Sequence, residues 1–163
     1  MTTDAEPLDG GDPDPRDRLL YESALRGVDR QATRLEEIRG RATSLFGAAA
    51  IAGGFLAAEV FGPEADLTPF AWIGAGAFAM TGCLLGVVLW PWKWRFVVKQ
   101  NQVRELVEQG ESTATMYYSL AASYEGCHAA NEPSLLRLSR VLSLMVVGVV
   151  VEVVFLLLNL VVR

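Results

Sequence analysis

The residue in this chain best placed to do chemistry is an acid in the middle of an apolar run. Glu152 falls among Val149, Val150, Val151, Val153 and Val154. An acidic or basic residue at the centre of a membrane span costs roughly 2.5–3.5 kcal/mol on insertion. Each flanking valine or leucine recovers only about 0.3–0.6 kcal/mol. The span still inserts, but Glu152 must face protein or water and not lipid. Two roles follow for it. As a protonated acid it bonds a hydroxyl at similar depth, such as Thr81. As one member of a ring in an oligomer it lines a cation path. Asn159, near the far end of the same run, reads as helix–helix glue, and Glu59 lies about one turn from Gly62, where snorkelling is cheap.

The other reactive side chains form no constellation. His128 is the only histidine, and the adjacent Cys127 supplies too few ligands for a metal site. Ser44, Ser112, Ser119 and Ser123 have no identifiable base. The glycines of Gly74-Ala75-Gly76 sit in an apolar pattern and not in a phosphate loop. The chain therefore reads as no enzyme, with no catalytic residue, no metal, no cofactor and no nucleic acid as partner. Cys83 and Cys127 lie in different environments, which argues against a disulfide framework.

The elements that would position Glu152 are three apolar runs, at 44–62, 69–90 and 139–162. Each is about the length a helix needs to cross some 30 Å of hydrocarbon. The chain is 52% hydrophobic, with a mean hydropathy of +0.29, which fits a small integral membrane protein. The expected fold is all-α: three transmembrane helices with long cytoplasmic helical extensions that form a stalk. Residues 16–163 make a single helical membrane domain on this reading. Residues 1–15 carry Asp4, Glu6, Asp9, Asp12 and Asp14 with three prolines and read as a disordered acidic tail. They have neither the basic start nor the apolar core of a signal peptide.

Small residues mark where helices would meet. Ala49, Gly53 and Ala57 are four apart in the first span, and Gly82 and Gly86 form a GxxxG in the second. Such spacing lets backbones approach closely in lipid, within the hairpin or between subunits of a homo-oligomer. Trp72 at one end of the second span, and Trp90, Trp92 and Trp94 at the other, read as anchors at the two water–lipid boundaries.

Two cytoplasmic helices are expected, at 16–43 and 97–132. Leu25, Val28, Ala32 and Leu35 form an apolar stripe on the first. Val103, Val107, Gly110, Ala114, Tyr117, Ala121, Tyr124 and His128 form a heptad seam on the second. The two stripes are each other's expected partners, and a soluble cytoplasmic protein could dock on the result. Residues 108–112 are a potential break, with Ser112 capping a new helix. Pro133 reads as a kink in a helix that continues into the third span.

An amphipathic helix ending Leu35-x3-Arg39-x-Arg41-Ala42 thus runs into an Ala/Gly-rich span with Phe55-Leu56. A tight hairpin and a second span ending Leu89-Trp90-Pro91-x-Lys93-Trp94 follow. This plan resembles the small bacterial transmembrane proteins grouped with the SLATT and Pycsar-type membrane effectors. The resemblance implies the bacterial inner membrane, a role in antiphage defence, and a pore-forming or membrane-perturbing effector. The alternative is a structural or adaptor subunit whose stalk docks a soluble partner. The third span exceeds the two-span plan of those proteins, no cyclic-nucleotide-binding domain is attached, and no ligand-binding residue carries over.

Basic residues set the orientation. Arg39 and Arg41 precede the first span, Lys93, Arg95 and Lys99 follow the second, and Arg137 and Arg140 precede the third. The hairpin loop has only Glu64 and Asp66. The positive-inside rule puts the amino terminus and residues 93–140 in the cytoplasm and the carboxyl terminus outside. In a background of Cys83→Ser and Cys127→Ser, Ala65→Cys and Val162→Cys should react with an impermeant maleimide added to intact cells, and Ser112→Cys should not. Labelling of Ser112→Cys in sealed cells would overturn this topology.

Overall fold

The computed structural model describes residues 14–60, 68–98 and 100–162, apart from the side chains of 55–57, 59, 60 and 100. Four helices and no strand occur among the described residues: α1 Pro15–Val60, α2 Pro69–Leu89, α3 Gln100–Glu108 and α4 Thr113–Val162. The protein is all-α. α2 and α4 are long and apolar enough, by length and composition, to cross a membrane. The expected span 69–90 coincides with α2 to within one residue, and 139–162 is the second half of α4. The expected first span, 44–62, is the end of α1 and runs into residues 61–67, which lie outside the described residues. Most of the expected acidic tail (1–13), most of the hairpin loop, and the side chains of Ala57 and Glu59 also lie outside them.

The chain divides into two compact units. One takes Met1–Thr33 and Lys93–Pro133, the other Arg34–Trp92 and Ser134–Arg163. In the first unit, α1 begins with a capped turn. Asp14 accepts the amide of Arg16 on its carboxylate at 3.0 Å and the amide of Asp17 on its carbonyl at 2.9 Å. Pro15 follows at the first helical position, where a missing N–H costs nothing. Glu22 then pairs with Arg18 and Arg26, one turn to either side. These contacts are exposed and worth a few tenths of a kcal/mol each, roughly.

α3 and α4 are separate helices because the chain between them carries both a stop and a start signal. Gly110 has φ 66°, a left-handed conformation that suits glycine. Its amide bonds the Val107 carbonyl at 3.1 Å, and the Glu111 amide bonds that of Leu106 at 3.2 Å, which is the Schellman pattern of a helix end. Ser112 then accepts the Thr115 amide on its hydroxyl at 3.2 Å and opens α4. The break ends the expected heptad seam. Ala114 is exposed, and the inward stripe of α4 in this unit runs from Tyr117 through Ala121, Tyr124 and His128 to Asn131.

The α1 face that meets this stripe is centred on Tyr21, Val28 and Gln31. Tyr21 packs edge-on against Tyr117 and Tyr124, with ring centres 5.4 and 5.9 Å apart. Burial, with Tyr21 beside it, pushes the Tyr124 phenol above its ordinary value. The neutral phenol is the form this packing favours, so the contribution is complete at neutral pH and is lost as pH rises past the raised value. Gln31 donates to the His128 carbonyl at 3.0 Å and to the Glu132 carboxylate at 3.3 Å. Sequence periodicity misses this residue, because a buried amide interrupts an apolar count.

Asn131 is the second polar clasp. Its side-chain amide donates to the Arg95 carbonyl at 2.9 Å and accepts the Arg95 amide at 3.1 Å. This two-way bond satisfies both backbone groups of one residue in the segment after α2, which has no helix or sheet of its own to supply partners. Asn131→Ala should remove both bonds and cost about 2–3 kcal/mol. The expected reading is a lower melting temperature in detergent together with faster exchange of the Arg95 amide. An unchanged exchange rate would show that another group serves Arg95.

Candidate functional site

The second unit is a three-helix assembly of the later part of α1, α2, and the later part of α4. Its buried α4 stripe is Leu135, Leu138, Met145, Gly148, Glu152, Leu156 and Asn159. The steps of three, four and seven keep these on one face. The α2 face buried against it is Ala71, Gly74, Ala77, Thr81 and Val88. α1 contributes Leu35, Ile38, Ala42 and Ala49. The inward residues of α2 are mostly small, those of α4 include Leu135, Leu138, Met145 and Leu156, and large apolar side chains also lie outward: Ile73, Met80, Val147, Val150, Val154 and Leu157 are all exposed.

Glu152 lies in this interior, 1% exposed. Neither carboxylate oxygen has a hydrogen-bond partner among the described residues. Gly53 of α1 stands directly opposite: a Cβ there would come 2.6 Å from Glu152 Oε1. At Gly74 of α2 a Cβ would come 3.0 Å from the Leu156 side chain and 3.7 Å from the Glu152 carbonyl oxygen. Both helices thus present glycine where the acid and its neighbour need room. The acid borders a cavity of about 270 Å³ whose other walls include Ala50, Gly53, Gly74, Phe78 and Leu156.

The expected hydrogen bond between Thr81 and Glu152 is not formed. Thr81 is fully buried, but its hydroxyl donates to the Ala77 carbonyl of its own helix at 2.9 Å. It packs one turn earlier on α4, against Gly148, where a Cβ would come 2.5 Å from Thr81 Oγ1. Equal depth in two sequences does not fix helix rotation, and the α2 rotation puts Thr81 over Gly148. Asn159, 0% exposed, accepts a hydrogen bond from the Thr68 hydroxyl just before α2, and its Nδ2 has no partner among the described residues. This contact fits the expected role as glue. Its partner was not legible, because Thr68 reads only as part of a loop.

The packing glycines are redistributed. Ala49 is buried and Gly53 faces Glu152, but the close α2 contact uses Gly74. Gly82 only brushes Phe46, at 3.4 Å for a Cβ. Gly86 is exposed, and a Cβ there would meet nothing within 4 Å. Gly86 makes no close packing contact among the described residues. Phe46 instead stacks on Phe78, with ring centres 5.4 Å apart.

Of the tryptophans, Trp72 and Trp90 are each 65% exposed at the two ends of α2. Trp92 donates its indole N–H to the Val87 carbonyl at 3.1 Å. It thereby serves an end-of-helix carbonyl that α2 cannot satisfy itself. Trp94, in the other unit, stacks on Phe96 with ring centres 5.8 Å apart and an interplanar angle of 8°. Cys83 is exposed and Cys127 half-buried, both as free thiols. Among the described residues no group of three His, Cys, Asp or Glu side chains comes together.

The Thr81–Gly148 contact makes a direct test of the α2–α4 register. Gly148→Ala should destabilise the protein by about 1–3 kcal/mol through overpacking. Thr81→Ala should be milder alone and should restore most of the loss in the double variant, giving a coupling of about 1 kcal/mol or more in a double-mutant cycle. Additive effects would place Thr81 elsewhere. A scan of family models, a search of curated proteins and a search of solved structures each find no match to this chain.

Proposed function

We propose that this is a non-enzymatic, multi-pass membrane protein that oligomerises and permeabilises or perturbs the membrane holding it, with Glu152 on the path. The observation that carries this reading is the Glu152 carboxyl, buried among apolar side chains with neither oxygen partnered among the described residues. Inside a membrane such a group is costly, faces protein or water, and is a functional-site candidate by default. The outward face of the unit supports the membrane setting. Exposed valines, leucines and isoleucines over α2 and α4 would be an aggregation hazard in water and are the expected surface in lipid.

On this reading three spans cross a bacterial inner membrane: the end of α1, α2, and the second half of α4. The amino terminus and residues 93–140 are cytoplasmic, and the carboxyl terminus is outside. A role as a defence effector follows from the resemblance described above and from nothing else.

A second reading is an adaptor, favoured by one feature of the first unit. A groove of about 640 Å³ there is lined by Tyr21, Val98, Val103, Val107, Leu120 and Tyr124 among others. It is suited to a soluble partner's apolar side chains.

Planar-bilayer currents separate the two. The parent should pass cation current, and Glu152→Gln should assemble alike but change conductance or selectivity severalfold, because charge on the path controls which ions enter. Growth arrest on overexpression should fall with it. A silent parent, with Glu152→Gln indistinguishable from it, would move the function to the adaptor.

A further inference from the structure

We propose that the Glu152 cavity is a binding site for a small lipophilic amine that reaches it through the membrane. The proposal deepens the reading just given, since it rests on the second unit lying in lipid.

The chemistry of the walls selects the ligand. Among the described residues Glu152 is the only one lining the cavity whose side chain can hydrogen-bond; the rest are alanine, glycine, phenylalanine and leucine. A carboxylate only accepts hydrogen bonds, and both of its oxygens lack a donor among the described residues. A bare metal cation is a poor match, because hard cations demand several oxygen ligands and a single carboxylate borders this space among the described residues. An ammonium group matches better. It carries the opposite charge and two or three N–H donors, and charge-assisted bonds of this kind are the strong ones. The apolar walls ask for an apolar body behind that group. The volume of about 270 Å³ sits just below the range of ordinary ligand pockets, roughly 300–1,000 Å³. It suits one compact hydrocarbon ring or cage.

The donor must come from outside the chain. No lysine or arginine occurs from 42 to 92 or from 141 to 162, so these segments cannot neutralise Glu152, in this chain or in a second copy. The route in is also apolar. Gly54 and Ala75 are exposed members of the lining, and Ile51 and Trp72, one turn from each, are exposed as well. The mouth therefore opens between α1 and α2 onto a surface suited to lipid. Gly54 keeps it open: a Cβ there would meet nothing within 4 Å, so a larger side chain can stand in the mouth without a clash in the core.

The test uses the full chain in non-ionic detergent, with 1-adamantylamine as probe and 1-adamantanol as its neutral isostere, by titration calorimetry. The parent should bind the amine at least about tenfold more tightly than Glu152→Gln does. The alcohol should not distinguish the two. Gly54→Leu, which keeps the acid, should weaken the amine similarly. A measurement on the parent alone guards against variants that fold poorly: the amine should protect Glu152 from modification by dicyclohexylcarbodiimide, read by peptide mass. Equal binding of the amine by parent and Glu152→Gln, no binding by the parent, or modification undiminished by the amine each overturns the site. Alkaline carbonate extraction separates this from failure of the membrane reading. Protein that stays in the membrane pellet but ignores the amine loses only the amine site, whereas protein released to the supernatant overturns both.

Discussion

One buried carboxyl sets the terms on which three helices meet. Glu152 has a volume and a polarity that an apolar helix junction does not accommodate freely. α1 answers with glycine at position 53, because even a methyl group there would come 2.6 Å from the acid. α2 answers with glycine at 74, against Leu156 on the next turn of α4. In the observed rotation both glycines face α4. The same rotation carries Thr81 onto Gly148 and Ala71 and Leu156 into one buried cluster. The junction accepts the acid by leaving space around it, and the cavity is that space.

The second unit carries large apolar side chains on its outer face as well as in its interior. In water, large apolar side chains go inside because their burial is the main driving force. Here alanine, glycine, threonine and asparagine share the inner surface with Leu35, Ile38, Leu135, Leu138, Met145 and Leu156, while valine, leucine and isoleucine also form much of the outer one. In the membrane setting proposed above, lipid tails are as apolar as leucine, so close backbone approach and polar contacts gain weight in holding helices together. The Thr68–Asn159 contact and the glycine contacts are of these two kinds.

The first unit is built on other terms. Its charged surface carries exposed i,i+4 pairs, and its interior is fastened by amides: Gln31 to α4 and Asn131 to the Arg95 backbone. Each amide bonds main-chain groups, so each fixes a position along the chain as well as a face. Apolar stripes alone could slide by a turn and the tyrosine contacts around Tyr21 could re-form one step along, but these clasps cannot slip without leaving buried polar groups unpaired.

Much of this was legible before any coordinates. Apolar runs of span length, the proline at 69, the Gly110 and Ser112 punctuation and the isolation of Glu152 are local properties. Each is set by the chemistry of neighbours within a turn or two, and the helices begin and end accordingly. What needed the tertiary structure is everything that depends on helix rotation and on which turn meets which. The α2 contact face could be drawn through Gly82 and Gly86 or through Gly74 and Thr81, since both are rows of small residues on the same apolar helix. Only docking against Glu152 and Leu156 selects the second. Thr81 and Glu152 shared a depth but not a facing. Nothing in the local sequence marks Gln31 or Asn131 as buried; the backbone groups they serve lie far along the chain. A sequence repeats its periods along one helix, whereas a contact pairs positions on two, and that pairing is decided by which volumes and polar groups fit together.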